Sequence, residues 1–385
     1  MFTFDARLAE LKHHFSEISP AEANRRMHTG SCHLVDVRER SELTSGIIAG
    51  SVHLPKSVIE LKVEQALPDK TADILLICGS GVRSLLAAES LMKLGYQNLT
   101  SVSGGMQQWK DQGLPTITPR MLSNKDEQRY GRHLLIPEVG EKGQLKLLET
   151  RVLLVGAGGL GSPAALYLAA AGIGTLGIID NDVVELSNLQ RQIVHGESSL
   201  GMNKVDSARA RLAEINSDIR ITTYNESLTE NNINELFSNY DIVVDGCDNF
   251  QTRYLINDAC VKHRIPNVHG AVYRFDGYVT VFDSRQAGPC YRCLYPEPPP
   301  PELAPSCMEA GVLGVLPGII GVLQAVETIK VALRLGEPLT HRILRYDALA
   351  AEFTELDTRR NSECSVCGDA VKDIQYQHYS QQCAV

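Results

Sequence analysis

Four cysteines in two Cys-x-x-Cys pairs are the residues that point most directly to a metal. Cys290 and Cys293 form the first pair, and Cys364 and Cys367 form the second. Four thiolates satisfy tetrahedral zinc and leave no open position, so the spacing predicts a closed, structural zinc site. Disulfides or two separate redox pairs are the alternatives, and disulfides are rare in the cytosol.

A fifth cysteine, Cys78, stands at the head of a glycine-bearing loop. It follows the apolar run 74–77 and precedes two glycines and Arg83, after which a helical pattern begins. The backbone N–H groups of such a loop, a helix N-terminus and an arginine favour a thiolate, and they can hold an anion such as a persulfide or thiosulfate. A buried cysteine that ends a strand is the ordinary alternative, but the order of glycines and arginine favours a reactive cysteine.

A second glycine-rich loop predicts a nucleotide site. Gly156, Gly158, Gly159 and Gly161 join the apolar run 152–155 to a helical pattern. Glycines in this order let the backbone approach a phosphate at the N-terminus of the helix. At the end of the next predicted strand, Asp180 occupies the position of a ribose-binding acid. NAD enzymes carry the same fingerprint, so the loop alone does not identify the reaction.

Polar residues after this loop distinguish nucleotidyl transfer from hydride transfer. They are Asp182, Asn188, Arg191, Gln192 and Lys204. During nucleotidyl transfer, charge develops on the α-phosphate and on the leaving pyrophosphate, and cations and amides stabilise it. Asp248 follows a further predicted strand, where its carboxylate is expected to hold magnesium against those phosphates. Each residue alone is most simply a surface polar group, but as a set around a glycine loop they predict a site.

The elements that position these residues belong to two α/β domains. A chain of 385 residues exceeds one ordinary core, so we place domains at 1–118 and 119–385. Alternating short apolar runs and helical patterns predict a small α/β domain, then a Rossmann-like domain with a mostly parallel sheet. The predicted strands are 33–37, 74–77, 99–102, 151–155, 175–180, 220–224, 242–245 and 278–282.

Composition and charge exclude several classes of partner. A net charge of −9 gives no general attraction to nucleic acid or to anionic membranes. The first residues are charged and contain no apolar core of a secretory signal. The most apolar stretches, 164–179 and 312–326, are interrupted by glycine or proline. We therefore expect buried core elements rather than membrane spans, and a cytoplasmic protein.

The first third of the chain resembles rhodanese domains. The resemblance is carried by the loop 78–84, by 35–39 after the first predicted strand, by 53–55, and by 103–106 followed by Trp109. It implies that Cys78 carries sulfane sulfur, received from thiosulfate or from a cysteine desulfurase. The sequence departs from the family at 46–50, where a Gly-His pair is common.

Residues 122 to 368 resemble the MoeB/ThiF/HesA family, relatives of ubiquitin-activating enzymes. The segments 129–132 and 188–192 carry the resemblance together with the glycine loop. It implies that the loop contacts phosphate, that Asp180 binds ribose, and that Asp248 positions the metal and the reacting carboxylate. Stabilisation of the triphosphate is implied for Asn188, Arg191 and Lys204. The resemblance also implies a homodimer in which Arg132 reaches the partner subunit's ATP site.

Cys307 follows the proline-rich stretch 296–305. A thiol on such a loop can visit a reactive intermediate, but an ordinary, partly buried cysteine explains the residue equally well from chemistry alone. The resemblance places the family's mechanistic cysteine in this segment.

Together these expectations describe an enzyme that uses ATP and magnesium. It adenylates the C-terminal Gly-Gly carboxylate of a small ubiquitin-fold sulfur carrier, and Cys78 then supplies sulfur to give a thiocarboxylate. Carriers of molybdopterin, thiamine, cysteine and tRNA thiolation pathways share this tail. Two alternatives remain, namely an NAD-dependent oxidoreductase and an adenylyltransferase whose rhodanese domain only docks a partner.

Overall fold

The computed structural model of the protein describes residues 3–30, 32–118, 120–299 and 311–376. The chain divides into two compact units, Met1–Met121 and Leu122–Val385. Cys307 lies outside the described residues.

The first unit is an α/β fold around a five-stranded sheet in the order β1-β5-β4-β2-β3, with every pairing parallel. Its central strand is buried along residues 74–77, which explains the continuous apolar run, because helices cover both faces of a parallel sheet. The predicted strands 33–37, 74–77 and 99–102 are confirmed. The elements are α1 Phe4–His14, β1 Ser16–Ile18, α2 Pro20–His28, β2 His33–Asp36, a 3-10 helix Arg40–Ser45, β3 Val52–His53, α3 Ile59–Ala66, β4 Asp73–Ile77, α4 Val82–Lys93, β5 Asn98–Val102 and α5 Gly105–Asp111.

The second unit contains an eight-stranded sheet in the order β13-β12-β11-β10-β9-β6-β7-β8. The five strands from β10 to β8 pair in parallel, whereas β11, β12 and β13 are antiparallel additions. The expected mostly parallel α/β fold is therefore confirmed. The elements are α6 Asn124–Leu134, α7 Gly140–Glu149, β6 Arg151–Val155, α8 Gly161–Ala171, β7 Thr175–Ile179, α9 Lys204–Ile215, β8 Arg220–Tyr224, α10 Ile233–Ser238, β9 Ile242–Asp245, α11 Phe250–His263, β10 Asn267–Tyr273, β11 Asp276–Phe282, α12 Tyr291–Leu294, α13 Val315–Leu333, β12 Arg342–Asp347 and β13 Glu352–Asp357.

The order of the parallel strands creates a crevice beside β6. From β6 the chain proceeds outward to β7 and β8, and it then returns to place β9 on the other side of β6. Ligands of open α/β sheets bind at such a reversal of strand order, outside the carboxyl ends of the strands. The glycine loop follows β6, and Asp248 follows β9, so both reach this crevice.

Helix α13 covers one face of the second sheet. Among the described residues it is the one helix long and apolar enough to cross a membrane, and half of that apolar window is buried. Its Ile320 approaches so closely that a Cβ on Gly277 of β11 would lie 2.5 Å from the Ile320 Cδ1. The apolar stretch predicted as core is thus a packed helix of this unit.

Candidate functional site

Cys78 lies at the carboxyl end of β4, at the start of a loop that leads into α4. Its side chain is buried, and the Gly81 N–H donates to the Cys78 Sγ with an N···S distance of 3.1 Å. The Ser84 Oγ lies 3.6 Å from the same sulfur. Gly81 has φ +92°, which a residue with a side chain rarely adopts, so the glycine permits the turn. The structure therefore forms the predicted loop, with a backbone donor directed at sulfur.

The start of α5 supports the base of this loop. The Met106 N–H donates to the Cys78 carbonyl at 2.8 Å, and the Gln107 N–H donates to the Gly79 carbonyl at 3.0 Å. A Cβ on Gly105 would lie 2.3 Å from the Cys78 carbonyl oxygen, so only glycine allows this approach. This packing explains Gly105 in the segment 103–106.

Glu42 is the residue of this site that sequence reasoning missed. Both of its carboxylate oxygens accept from Arg83, with Nη1–Oε2 and Nη2–Oε1 distances of 2.6 Å. Hydrogen bonding from Arg83 lowers the pKa of Glu42 to about 2, and the same pairing raises the pKa of Arg83. The capping box formed by Glu39 and Glu42 is the local sequence signal, but it does not reveal the long-range partner.

A cavity of about 590 Å³ opens at the carboxyl ends of β6, β7 and β9. Most of the residues predicted from the second glycine loop line it: Gly156, Gly158, Gly159, Asp180, Asp182, Arg191, Gln192, Lys204 and Asp248. Gly161, Asn188 and Arg132 are not among the lining residues of the described chain. The topology thus brings glycines, carboxylates and cations from four separate segments to one crevice.

Two side chains bind the backbone of Ala157 in the glycine loop. The Asp180 carboxylate accepts from the Ala157 N–H at 2.8 Å. The buried His195 lies 3.0 Å from the Ala157 carbonyl through Nε2 and 2.9 Å from the Ser207 hydroxyl through Nδ1. Because the carbonyl only accepts, Nε2 carries the proton and Nδ1 accepts from Ser207. Burial lowers the pKa of His195, which favours this neutral ring.

Gly161 allows close packing and does not face the cavity. A Cβ there would lie 2.0 Å from the Gly156 carbonyl oxygen, so the first turn of α8 folds directly against the loop. Gly156 has φ +99° and approaches the Gly246 backbone after β9. These contacts join the two loops that form the floor of the cavity.

The predicted polar residues take different roles in the structure. Lys204 is 6% exposed and donates to the Asp182 carboxylate at 2.7 Å. Arg191 donates to the Ser187 carbonyl at 3.0 Å from the cavity wall. The side-chain oxygen of Asn188 accepts a hydrogen bond from the Glu185 N–H at 3.1 Å and so stabilises the turn. Arg132 is exposed on α6.

The turn that carries Asp248 is fixed by a buried network. Asp245, fully buried at the end of β9, accepts from the Cys247 N–H at 3.1 Å and from the Cys247 Sγ at 2.8 Å. The His269 Nδ1 lies 2.7 Å from the other carboxylate oxygen. Burial raises the pKa of Asp245, but hydrogen bonding and charge from His269 outweigh it and keep that pKa below its ordinary value.

Two further cavity residues were not predicted. Cys247 lines the cavity, and burial raises the pKa of its thiol well above the ordinary value. Arg253 also lines the cavity and donates to the Cys247 carbonyl at 3.2 Å. Its position five residues after Asp248, in the first turn of α11, is the signal that would have found it.

The four cysteines of the two pairs converge on one point. The Sγ atoms lie within 4.8 Å of one another, with separations of 3.9 Å between Cys290 and Cys293, 3.6 Å between Cys290 and Cys364, and 3.3 Å between Cys293 and Cys367. Zinc–sulfur bonds of about 2.3 Å in a tetrahedron require sulfur separations of about 3.8 Å. The four sulfur atoms are therefore close enough together to hold one tetrahedral metal ion.

The cysteine cluster is anchored to α11. Arg292 and Asp258, each 1% exposed, form two hydrogen bonds of 2.8 Å. The Tyr291 N–H donates to the Asn257 side chain at 2.7 Å. The segment between Cys290 and Cys293 is therefore attached to the middle of the helix whose first turn lines the cavity.

Comparison with protein families finds a match in each unit. Residues 130–366 match the ThiF family, and residues 19–112 match the rhodanese-like domain. Among curated proteins, an adenylyltransferase and sulfurtransferase MOCS3 of Arabidopsis thaliana is 50% identical over 268 residues, 68% of this chain and 58% of that protein. A sulfur carrier protein adenylyltransferase of Thermus thermophilus is 47% identical over 69% of this chain and its own whole length. The match thus spans less than two thirds of the MOCS3 protein.

Solved structures show the same fold at lower identity. The E. coli MccB structure with ATP has a TM-score of 0.52 and 21% identity, and the match covers 64% of this chain and 82% of that one. MccB with AMPCPP and selenomethionine MccA has a TM-score of 0.54 and 24% identity, over 63% and 75% of the two chains. These similarities establish the fold of the matched region.

Proposed function

The chain belongs to the ThiF family and also contains a rhodanese-like domain, and from this premise we propose that it activates a small sulfur-carrier protein and transfers sulfur to it. We assign residues 1–118 to the sulfurtransferase domain and 119–385 to the adenylyltransferase domain. The observation that carries the proposal is the presence in one chain of a glycine-loop cavity lined by cations and Asp248 and of the Cys78 loop.

The first half-reaction is adenylation of the carrier. ATP binds in the cavity at the glycine loop, and the C-terminal Gly-Gly carboxylate of a ubiquitin-fold carrier attacks the α-phosphate. The bond to the leaving pyrophosphate breaks, and a carrier acyl-adenylate forms. Arg191 and Lys204 stabilise the charge that develops on the phosphates. Arg132, exposed on α6, contributes to the ATP site of a second subunit in a homodimer.

Asp248 is the ligand proposed for magnesium. Magnesium is bound in proteins by one or two carboxylates together with substrate phosphates, and the Asp248 carboxylate at the cavity wall fits that donor set. When bound, the ion would supply positive charge to the phosphates. Zinc held by the four cysteines would be structural, since the thiolates would fill all four positions of its tetrahedron.

The second half-reaction transfers sulfur. The Cys78 thiolate attacks the sulfane sulfur of thiosulfate or of a desulfurase persulfide, and sulfite or the donor thiolate leaves. The terminal sulfur of the Cys78 persulfide attacks the acyl-adenylate carbonyl, and AMP leaves. Cys307 then attacks the resulting acyl disulfide at the Cys78 sulfur. A carrier thiocarboxylate is released, and a Cys78–Cys307 disulfide remains for an external thiol to reduce.

This function places the enzyme in the cytoplasm, acting on a protein and not on nucleic acid or a membrane. The proposed substrate is a carrier of a molybdopterin, thiamine, cysteine or tRNA-thiolation pathway. Sulfur donor and activator in one chain raise the effective concentration of each at the other.

The test is the intact mass of candidate carriers after incubation with enzyme, magnesium-ATP and a sulfur donor. Replacement of one terminal oxygen by sulfur on one carrier supports both half-reactions. Cys78→Ala should abolish that mass change and leave carrier-dependent pyrophosphate release intact, whereas Asp248→Asn should abolish both. Normal sulfur transfer by Cys78→Ala would contradict the proposed role of Cys78 and would favour the alternative that the first domain only docks a partner.

A further inference from the structure

The loop 78–84, which begins with Cys78, contains one cationic side chain, and a carboxylate is paired with it. Arg83 is the only basic residue in the segment 78–84. Its two terminal nitrogens both donate to Glu42, at 2.6 Å each. Paired, parallel hydrogen bonds between guanidinium and carboxylate are the strongest geometry of this kind.

Glu42 is held in place from a second side. Its Oε2 accepts from the Glu39 N–H at 3.0 Å, at the start of the 3-10 helix Arg40–Ser45. Glu39 itself accepts from the Ser57 hydroxyl at 3.0 Å, and its charge contributes to raising the pKa of Arg83. The Glu42 carboxylate is therefore held in position by the Glu39 N–H as well as by Arg83. The Glu39 carboxylate adds a second negative charge near Arg83.

The ion pair lies beside Gly79, the residue that follows Cys78. A Cβ built on Gly79 would lie 3.1 Å from the Arg83 Nη2 and 3.6 Å from the Glu42 Oε1, and the charge of Cys78 contributes to raising the pKa of Arg83. Because the Arg83 nitrogens and the Glu42 oxygens are 2.6 Å apart, their opposite charges largely cancel for a molecule that approaches the loop. The loop thus presents backbone N–H groups but no net positive charge from its arginine.

The two possible donors differ in the charge they bring. Thiosulfate carries two negative charges and leaves sulfite after the Cys78 thiolate attacks its outer sulfur. A persulfide on a thiol carries one, and it leaves a thiolate after the same attack. In both cases the donor S–S bond breaks, the Cys78 S–S bond forms, and no external oxidant or reductant is consumed. Approach of the dianion to a thiolate depends more strongly on a nearby cation.

We propose that Glu42 selects the sulfur donor: it neutralises Arg83 and disfavours thiosulfate, so that Cys78 accepts sulfane sulfur from a persulfide on a thiol. The inference rests on the proposed function of Cys78 and specifies its substrate. Glu42 acts through Arg83 and is a specificity-determining residue, not a catalytic one.

The experiment compares two donors with the full chain and with Glu42→Gln. The variant removes the negative charge and keeps an oxygen that can accept from the Glu39 N–H. The rate constant for persulfide formation on Cys78 is measured by intact mass, with thiosulfate and with the persulfide of 2-mercaptoethanol, whose only charge is on the persulfide. We expect the thiosulfate value to rise by about tenfold or more and the 2-mercaptoethanol persulfide value to change by less than about threefold, since charge complementarity alters association on this scale.

Glu22→Gln is the matched control. Glu22 accepts from Arg25 and Arg26 on α2, so the substitution removes a similar arginine-paired charge from the same unit. It should leave both rates unchanged. Added salt should accelerate thiosulfate with the unaltered chain and have less effect with Glu42→Gln, and Arg83→Gln combined with Glu42→Gln should cancel the gain. A merely structural role of Glu42 predicts none of this donor-specific pattern.

Equal changes with both donors, or an unchanged thiosulfate rate in a folded Glu42→Gln variant, would overturn the selection role alone. Folding is checked through the unfolding midpoint of Trp109, the single tryptophan, which is buried in the same unit. Failure of the unaltered chain to form a Cys78 persulfide with either donor would overturn the proposed sulfurtransferase function, and donor selection with it.

Discussion

Removal of the Arg292 guanidinium should destabilise the second unit strongly. Arg292 and Asp258 are each 1% exposed, and Arg292 also lies over the Tyr254 ring at 4.6 Å. Arg292→Met keeps most of the apolar stem but leaves the Asp258 carboxylate buried without its cation. The Asn257 Nδ2 still donates to that carboxylate at 3.0 Å, so one hydrogen bond persists.

The expected loss follows from the burial of the pair. Breaking a buried ion pair by removing one partner costs about 3–5 kcal/mol. Because one hydrogen bond to Asp258 remains, we expect the lower end, about 3 kcal/mol, in the free energy of unfolding of the second unit. Arg211→Met is the matched control, since Arg211 and Glu214 are 53% and 69% exposed. An exposed pair of this kind contributes about 0–1 kcal/mol.

Urea unfolding followed by circular dichroism measures the effect. Trp109 fluorescence reports the first unit separately, and its midpoint should not move. A double variant, Arg292→Met with Asp258→Leu, should recover most of the stability, because apolar replacement of a buried pair is often neutral. The reasoning is refuted if Arg292→Met costs no more than Arg211→Met.

Three other predictions concern the cavity and the cysteine cluster. Gly161→Ala should weaken binding of an ATP analogue about tenfold or more by calorimetry, because its Cβ would lie 2.0 Å from the Gly156 carbonyl; unchanged affinity would contradict the packing role. Burial lowers the pKa of His195, so its contribution to stability is complete above its ordinary value of 6.5 and is lost as the pH falls through the lowered value. Between about pH 7.5 and 5.5 the free energy of unfolding, measured in urea, should therefore fall more for the unaltered chain than for His195→Gln. Equal pH dependence of the two proteins would refute the interpretation of His195 as a buried neutral ring. Cys364→Ser should reduce bound zinc in elemental analysis to well below one ion per chain, whereas Cys32→Ser should retain it.

The sequence predicts the parallel strands well because they are buried on both faces. Residues 74–77 and 152–155 are continuous apolar runs, and both are core strands. The antiparallel additions were harder to predict. In β13 every residue is at least partly exposed, with the pattern Glu-Phe-Thr-Glu-Leu-Asp. Its pairing with β12 is set by the hairpin and not by burial of an apolar face.

The site residues also differ in how far the sequence could predict them. Residues of the glycine loop are close in sequence, so their pattern could be read directly. Glu42 and Arg83 are 41 residues apart, and Asp245 and His269 are 24 apart, so only the fold reveals their contacts. Asn188 belongs to a clear sequence motif, but the motif did not reveal that its side-chain oxygen accepts from the Glu185 N–H within the turn.

Helix α11 connects the four-cysteine cluster to one wall of the cavity. Its N-cap, Asn249, accepts from the Thr252 N–H at 2.9 Å immediately after Asp248, so the helix start fixes the end of the turn that carries Asp248. Two turns later, Asp258 holds Arg292 between the cysteines of the first pair. A metal bound by the four thiolates would therefore restrain the same helix that carries one wall of the cavity. Loss of the metal should act on nucleotide binding through the position of α11, without contact between the metal and the nucleotide.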